Sequence, residues 1–589
     1  MPATLDDALR VADQSEVREP IVRFLVDLLR VETTVGPDVE AVRAREEQAF
    51  GLISQAAETF LGSSRDVERV PIDPRIEADP YYTPVHYTKT PSRPGGLSAA
   101  DAYRGRSNLV VRLPGQGRGV LAFNAHIDVV APFIPPRLEG PVLYGRGACD
   151  DKGQCAVMLL ALCLIEHARW MGDLVPPADL LFEFVIDEEP GGNGSLSLAL
   201  DRRFAFDALV VLEATKLGVH PGNRGAVWYR VELDGSAAPG LDLVGLAGAV
   251  VLALEEEGAK LKAESDHPLF PRRPVQTCHG ILGPWGKHPS AVNDHVELAL
   301  AGDGVLDQDR LAAAIDEAVA AYCAVYGDKT KEPDPATGQP KVDHHYDLAR
   351  DKDFRFQISD FATVGAGHAF DSICNLQSAI CNPGDAMRLT VHGKAGHMGA
   401  ILQCDDAITK AAYILRALEA APGLRIRRFA VAPASPAEPL RSLVLEGGQG
   451  FLPTHSLAEV TRRMRSAAER GAEAYCRSRG AIFVPGLVRT TFDKLHNDAF
   501  ARDPSRPAVR AFVEAARRVG IEVREPLRGW DVSCDARVFA REYPESDIIT
   551  FGAGELEHAH SAQEQVRVGD IVAAAKAVAR FALTYAPRP

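Results

Sequence analysis

Four apolar runs in this sequence break into metal-binding or acid/base side chains at their carboxyl ends. GVLAFNAHID (119–128) ends on His126 and Asp128, and LLFEFVIDEE (180–189) ends on Glu188 and Glu189. VVLEAT (210–215) carries Glu213, and DIITFGAGELEHAH (547–560) closes on His558 and His560. A short run rich in Val, Ile, Leu and Phe reads as a buried strand. In open α/β sheets the carboxyl edge of such strands is where ligands bind. Imidazole and carboxylate are together the donors that hold a borderline divalent metal. One such ending arises easily by chance, whereas four with complementary donors point to one dinuclear metal site.

Each motif has its own chemistry. In His126-Ile-Asp128 the imidazole can bind metal while the carboxylate fixes the ring's tautomer. GRGACDDKG (145–153) is a glycine turn followed by paired aspartates at a helix start. Asp150 there can offer one oxygen to each of two ions, although either aspartate could instead simply cap the helix. The three acids Asp187, Glu188 and Glu189 crowd like charges at a sheet edge, which costs stability unless cations neutralise them or one acid keeps its proton. Neighbouring glutamates point differently, so one can hold metal while the other handles a water. LPGQGRG (113–119) and GPWGKHPS (283–290) are glycine-rich but lack phosphate-loop spacing and read as turns.

The composition narrows the classes. At 589 residues the chain exceeds the usual single-domain size, and 46% hydrophobic with 25% charged residues is a globular balance. A net charge of −15 without any basic block argues against a nucleic-acid surface. No secretory signal is visible, no apolar run is expected to span a membrane, and the ten scattered cysteines form no disulfide framework. A reducing cytoplasm is the expected setting.

Stepping from the motifs to the elements that hold them, residues 17–30 and 46–61 have the apolar period of amphipathic helices. Strand and helix patterns alternate from 107 to about 212 and resume after 497, with helices at 508–519 and 571–585. Between them a unit occurs twice. The first copy reads strand 226–233, helix 243–261, strands 275–282 and 295–300, helix 307–326. The second reads strand 387–392, helix 405–420, strands 443–445 and 457–464, helix 466–477. The expectation is an α/β catalytic domain with a central mixed sheet flanked by helices, residues 1–222 and 493–589. An inserted α+β lid, residues 223–492, would hold two tandem repeat-like units at about 223–330 and 380–492.

Taken together, the motifs resemble the dinuclear zinc metallopeptidases and deacylases, the family of acetylornithine deacetylase, succinyl-diaminopimelate desuccinylase, aminoacylase, carboxypeptidase G and carnosinase. The H-x-D, the GRG-x-x-D-x-K-G, the paired glutamates, the strand-end acid (here Glu213-Ala-Thr, where the family usually has Pro after the acid) and the final H-x-x-x-E occur in the family's order. That last motif selects His560 over His558. The resemblance implies one metal on His126, Asp150 and Glu213 and a second on Asp150, Glu189 and His560. Asp128 would support His126, and Glu188 would be the general base. Two Zn²⁺ ions are implied, with Co²⁺ or Mn²⁺ able to substitute. The lid motif GKAGHMG would bring His397 to the oxyanion, and Arg463 would lie near a substrate carboxylate. The family's Asn before Pro453 is replaced, the position holding Gly450, and Asn293 is the substitute. The implied substrate is a small dipeptide or N-acyl amino acid. Two lid units in one chain resemble monomeric dipeptidase V, so the expected working form is a monomer with an intrachain lid pseudo-dimer; His397 aligns with Pro239 of the first copy. The competing reading is a catalytically inactive member of the fold used for binding or assembly. Loss of the base or a ligand would mark it, and neither is lost.

Overall fold

The computed structural model describes the chain apart from residues 1–3, 62–65, 173, 287, 303–304, 335–337, 351–386, 425, 432–439, 495 and 588–589. Strands β1 (Asp66–Pro71), β2 (Ser107–Leu113), β3 (Val120–His126), β4 (Asp179–Val185) and β5 (Ala208–Leu212) join the late strand Asp547–Phe551 in one mixed sheet. Its spatial order is β1, β2, β4, β3, β5, Asp547–Phe551. The last four are mutually parallel, while β2 is antiparallel to both β1 and β4. The parallel strands are buried almost end to end, which is why they read as unbroken apolar runs instead of alternating ones. Four adjacent parallel strands deliver four carboxyl ends to one edge. Helix α1 (Lys152–Gly172) lies against β3 and packs on the Val568–Thr584 helix. By length and apolarity α1 could cross a bilayer, contrary to the expectation from sequence, yet most of it is buried in this core.

A second core spans residues 227–487, while the first joins 9–219 to 500–582. In the second core β6 (Gly225–Asp234), α2 (Leu243–Glu264) and β7 (Thr277–Leu282) are followed by the two-residue strand β8 (Ala291–Val292). Then come β9 (His295–Gly302), α3 (Gln308–Tyr326), β10 (Tyr346–Arg350), β11 (Met387–His392) and the short β12 (Gly396–His397). The series ends with α4 (Ala407–Ala420), β13 (Ile426–Val431), β14 (Ser442–Phe451), α5 (Leu457–Ser478) and β15 (Val488–Thr491).

The strand pairing corrects the tandem arrangement. One sheet runs β7-β14-β6-β15 and the other β10-β11-β9-β13. Each is a β-α-β-β-α-β unit with its strands in the order second, third, first, fourth. Each sheet draws on both of the copies expected from sequence. The unit β9–β13 is nested inside the other, between β7 and β14. Local periodicity finds the elements but not their partners, because pairing between β6 and β14 joins residues some two hundred positions apart. One element is also reassigned: 457–464, expected as a strand, is the start of α5. Ser456 caps it, accepting the Glu459 backbone N–H at 3.2 Å, and Val460, Met464, Ala467, Ala468 and Gly471 bury one helical face.

Candidate metal centre and substrate cavity

The expected donors meet at the carboxyl edge of the catalytic sheet. His126, the last residue of β3, places Nε2 3.1 Å from Asp150 Oδ1. Asp150 Oδ2 lies 3.2 Å from His560 Nε2, which is also 3.1 Å from Glu189 Oε1. Two groups of donor atoms result, each within 4.8 Å of one another: His126, Asp150, Asp151 and Glu213, then Asp150, Glu189 and His560. Asp150 belongs to both. His558 faces Gln565 instead.

The supports behind these groups explain why they hold their places. Asp128 accepts the backbone N–H groups of Glu188 and Glu189 at 3.1 and 3.0 Å. Its backbone oxygen lies 3.0 Å from His126 Nδ1, so the carboxylate sets the glutamate turn while the main chain orients the imidazole. Asp187 adopts a left-handed φ of 58° at the hinge of that turn. Such a backbone costs energy unless its surroundings fix it; here Tyr87, Tyr103 and Arg106 all donate to its carboxylate. Glu564 accepts N–H groups from Gly147, Cys149 and Asp150 on one oxygen and pairs with Arg146 through the other. It thereby ties the Asp150 loop to the His560 loop. Gly552 lets the final strand turn beside Glu213, since a Cβ there would sit 2.4 Å from the Glu213 carbonyl oxygen.

The electrostatics of this edge suit cations. Burial pushes the Glu213 carboxyl well up, and Asp151 and Asp150 push it further. Burial, then Asp535, does the same to Glu188. Asp151 donates nothing to relieve the crowding: one oxygen accepts the His126 N–H at 3.0 Å and the other is buried without a hydrogen-bond partner. Buried carboxylates crowded around two imidazoles, one with an orphaned oxygen, fit divalent ions bound through oxygen and nitrogen.

A cavity opens above the donors. Asp150, Glu188, Glu189, Glu213 and His560 form its floor. The lid side contributes Trp228 and Arg224 near the start of β6, His288, Ser290 and Met398. β8 pairs with β12, Ala291 opposite His397, and the Met398 N–H donates to the Ser290 carbonyl at 2.7 Å. This brings the GKAGHMG backbone to the rim, while the His397 side chain lies outside what is described.

Two expected binding residues are not brought to this cavity. Arg463 lies on α5, where Glu257 at 2.6 Å and Glu264 at 2.5 Å on α2 hold its guanidinium in a helix–helix ion-pair network. Its place in the sequence fitted a strand, and the helix turns it elsewhere. Asn293 donates to the His295 carbonyl at 2.8 Å in a turn. Sequence reasoning missed Arg224 and His288. Arg224 is 1% exposed and donates to the Pro274 carbonyl at 3.1 Å, and its Nε has no partner among the described residues. Burial lowers its pKa to about 10, which still leaves it cationic at neutral pH. Its motif, GNRGAVW (222–228), looks like an ordinary turn into a strand. His288 sits in the GPWGKHPS segment dismissed as a turn.

The sheet edge and its shared carboxylate define a dinuclear metallohydrolase. The model of peptidase family M20/M25/M40 matches residues 122–584, and the chain belongs to that family. A peptidase M20 domain-containing protein of Schizosaccharomyces pombe is 34% identical over 122 residues, covering 20% of this chain and 29% of that protein. Carboxypeptidase G2 of a Pseudomonas species is 31% identical over 197 residues, 30% of this chain and 44% of the enzyme. The chain thus matches less than half the length of these relatives. In fold it is similar to human carnosine dipeptidase 1, with TM-score 0.52 and 13% identity over 98% of this chain and 99% of that one. The dipeptidase Dug1p of Saccharomyces cerevisiae gives TM-score 0.52 and 12% identity, with both chains fully covered.

Proposed function

We propose that this enzyme hydrolyses the amide bond of a small dipeptide or N-acyl amino acid, with His126, Asp150 and Glu213 holding one Zn²⁺ and Asp150, Glu189 and His560 a second. The observation that carries this reading is the shared position of Asp150 between two donor groups. Bound divalent ions supply Lewis acidity toward a carbonyl and a water of lowered pKa; Co²⁺ or Mn²⁺ could serve. Glu188, on the cavity wall but in neither donor group, takes a proton from the attacking water and passes it to the leaving nitrogen. The C–N bond breaks, the water oxygen ends in the new carboxylate, and the amine leaves with the proton. Asp128 keeps Glu188 and Glu189 apart in their two tasks through its paired backbone contacts.

Arg224 takes the role expected of Arg463. It is the buried cation on the cavity wall, and its unpartnered Nε supports a contact with a substrate carboxylate. The oxyanion role of His397 is supported by its backbone place at the rim, one residue before Met398. A single chain with two lid units supports a working monomer, and the free cysteines among the described residues suit a reducing cytoplasm.

The test is metal removal. A chelator should abolish hydrolysis across a panel of dipeptides and N-acyl amino acids, and Zn²⁺, Co²⁺ or Mn²⁺ should restore it. Asp150→Ala should lose both ions by elemental analysis. Full turnover by metal-free protein would sink the reading.

A further inference from the structure

The nested sheet β10-β11-β9-β13 has two unlike faces. Along β11, Met387, Leu389 and Val391 are buried, while Arg388, Thr390 and His392 alternate with them on the outer, half-buried face. The register carries that outer face across three strands. Asp347 of β10 lies opposite Thr390, and His295 of β9 lies opposite His392. Asp347 and His392 are therefore diagonal neighbours on one face. His344, just before β10, turns onto the same spot.

Two imidazoles there converge on one carboxylate oxygen. His392 Nε2 is 2.8 Å and His344 Nε2 3.2 Å from Asp347 Oδ2. The rings stand edge to face with centroids 4.6 Å apart, and the three donor atoms lie within 4.8 Å of one another. Atoms bound about 2.0–2.1 Å from a tetrahedral zinc stand about 3.3 Å apart. Two sides of this triangle are near that length, so small side-chain rotations admit an ion. Each neutral ring can carry its hydrogen on Nδ1 and present the Nε2 lone pair. His295, its ring centroid 6.1 Å from that of His392, stands beside the open fourth position. The His344 and Asp347 side chains are 54% and 63% exposed, so an ion enters directly from solvent.

A neighbouring trio, Cys323, Asp328 and His345, is built otherwise. Lys410 lies 3.2 Å from His345 Nδ1, and an ammonium can only donate. The ring hydrogen therefore sits on Nε2, facing Asp328 at 3.1 Å. That nitrogen is closed to a metal.

We propose that His344, Asp347 and His392 form a separate binding site for a divalent transition-metal ion, Zn²⁺ or Ni²⁺ by donor type, on the outer face of the lid. The ion clips the chain before β10 to the last residue of β11, directly ahead of Gly393 in the GKAGHMG segment. It shares no residue with the catalytic donors, so the inference stands independently of the hydrolase reading.

Full-length protein and its variants can be dialysed to equilibrium against micromolar free Zn²⁺ and their metal counted by elemental analysis. The parent and Asp328→Asn should each hold one ion more than His344→Ala or His392→Ala. The same difference should appear when His392→Ala is added to Asp150→Ala, so it is read whatever the catalytic centre holds. Zn²⁺ should also raise the melting temperature of the parent by a few degrees more than that of either alanine variant. Equal metal content in the parent and either alanine variant, with matching circular dichroism, overturns the site and leaves a hydrogen-bonded surface cluster. A loss confined to Asp328→Asn moves the ion to Cys323 and His345 and overturns it as well.

Discussion

The two walls of the cavity are built in different ways. The floor comes from strand ends of the catalytic sheet, where buried partners hold the backbone beneath the functional side chains: Asp128 under the glutamates, Glu564 under the Asp150 loop, Arg106 behind Asp187. The opposite wall comes from the first residues of β6 and from the loops and two-residue strands beside it, and several of its polar atoms are unsatisfied. Arg224 Nε, Trp228 Nε1 and Asn497 Oδ1 have no hydrogen-bond partner among the described residues. Rigid support suits groups that must keep a transition-state geometry, and unsatisfied donors and acceptors suit groups whose partner arrives with the substrate. Substitutions in the floor should therefore act on turnover and those at the unsatisfied groups of the opposite wall, Arg224 above all, on substrate affinity.

The largest effect should come from Glu188→Gln, which preserves shape and removes the base. Turnover should fall by roughly 10²–10⁴-fold with metal content unchanged by elemental analysis. Loss of an ion instead would make Glu188 a ligand and blur the division between chemistry and binding. Arg224→Ala should raise KM by about 10–100-fold with kcat nearly constant, the weight of a hydrogen bond to a charged group. Arg224→Lys should recover only part of this, because an ammonium lacks the planar fork. A fall in kcat alone would break the comparison.

Arg463→Ala should leave both constants unchanged. It loosens the α2–α5 contact, lowering lid stability by about 1–2 kcal/mol in denaturant titration. The smallest effect concerns Glu183, buried in β4 beneath the glutamate turn. Burial raises its pKa to about 8, well above the ordinary glutamate range, and outweighs the Asn124 amide at 3.1 Å and the more distant Arg112. The native state therefore holds this proton more tightly than the unfolded chain, so stability from this group is full below the unfolded pKa and declines as pH rises toward 8. Glu183→Gln should melt a few degrees higher at alkaline pH and unchanged at acid pH. A melting curve with the same pH slope as the parent would assign that slope elsewhere.

The same contrast decides what could be read from sequence. His126, Glu188, Glu189, Glu213 and His560 were legible because each follows an apolar strand and strand ends converge when strands are parallel, and Asp150 because it stands in a glycine turn with paired aspartates at a helix start. The lid wall gave no such signal. Arg224 and His288 sit in glycine turns, where their residue types need no function, and their approach to the floor depends on how one core packs over the other. Arg463 shows the reverse error: its place fitted a strand, but Ser456 and Glu459 start a helix there and redirect the side chain. The two β-α-β-β-α-β units were visible only in part, since β10, β13 and β15 were not read as strands, and their nesting was not visible, because strand pairing across such separations leaves no local trace.

That nesting also imposes a schedule. The β9–β13 unit occupies the connection between β7 and β14, and both units occupy the connection between β5 and the Asp547–Phe551 strand. Closing a long connection costs more entropy than closing a short one, so assembly runs from the inside outward. As the chain is synthesised, His126, Asp150 and the glutamates emerge early and wait through some three hundred residues of lid. Of the two imidazoles, only His126 stands beside that crowded negative charge until His560 arrives after the last strand of the sheet. The hydrolase therefore gains its full donor set in a single late step, when the outermost layer shuts around two finished inner ones.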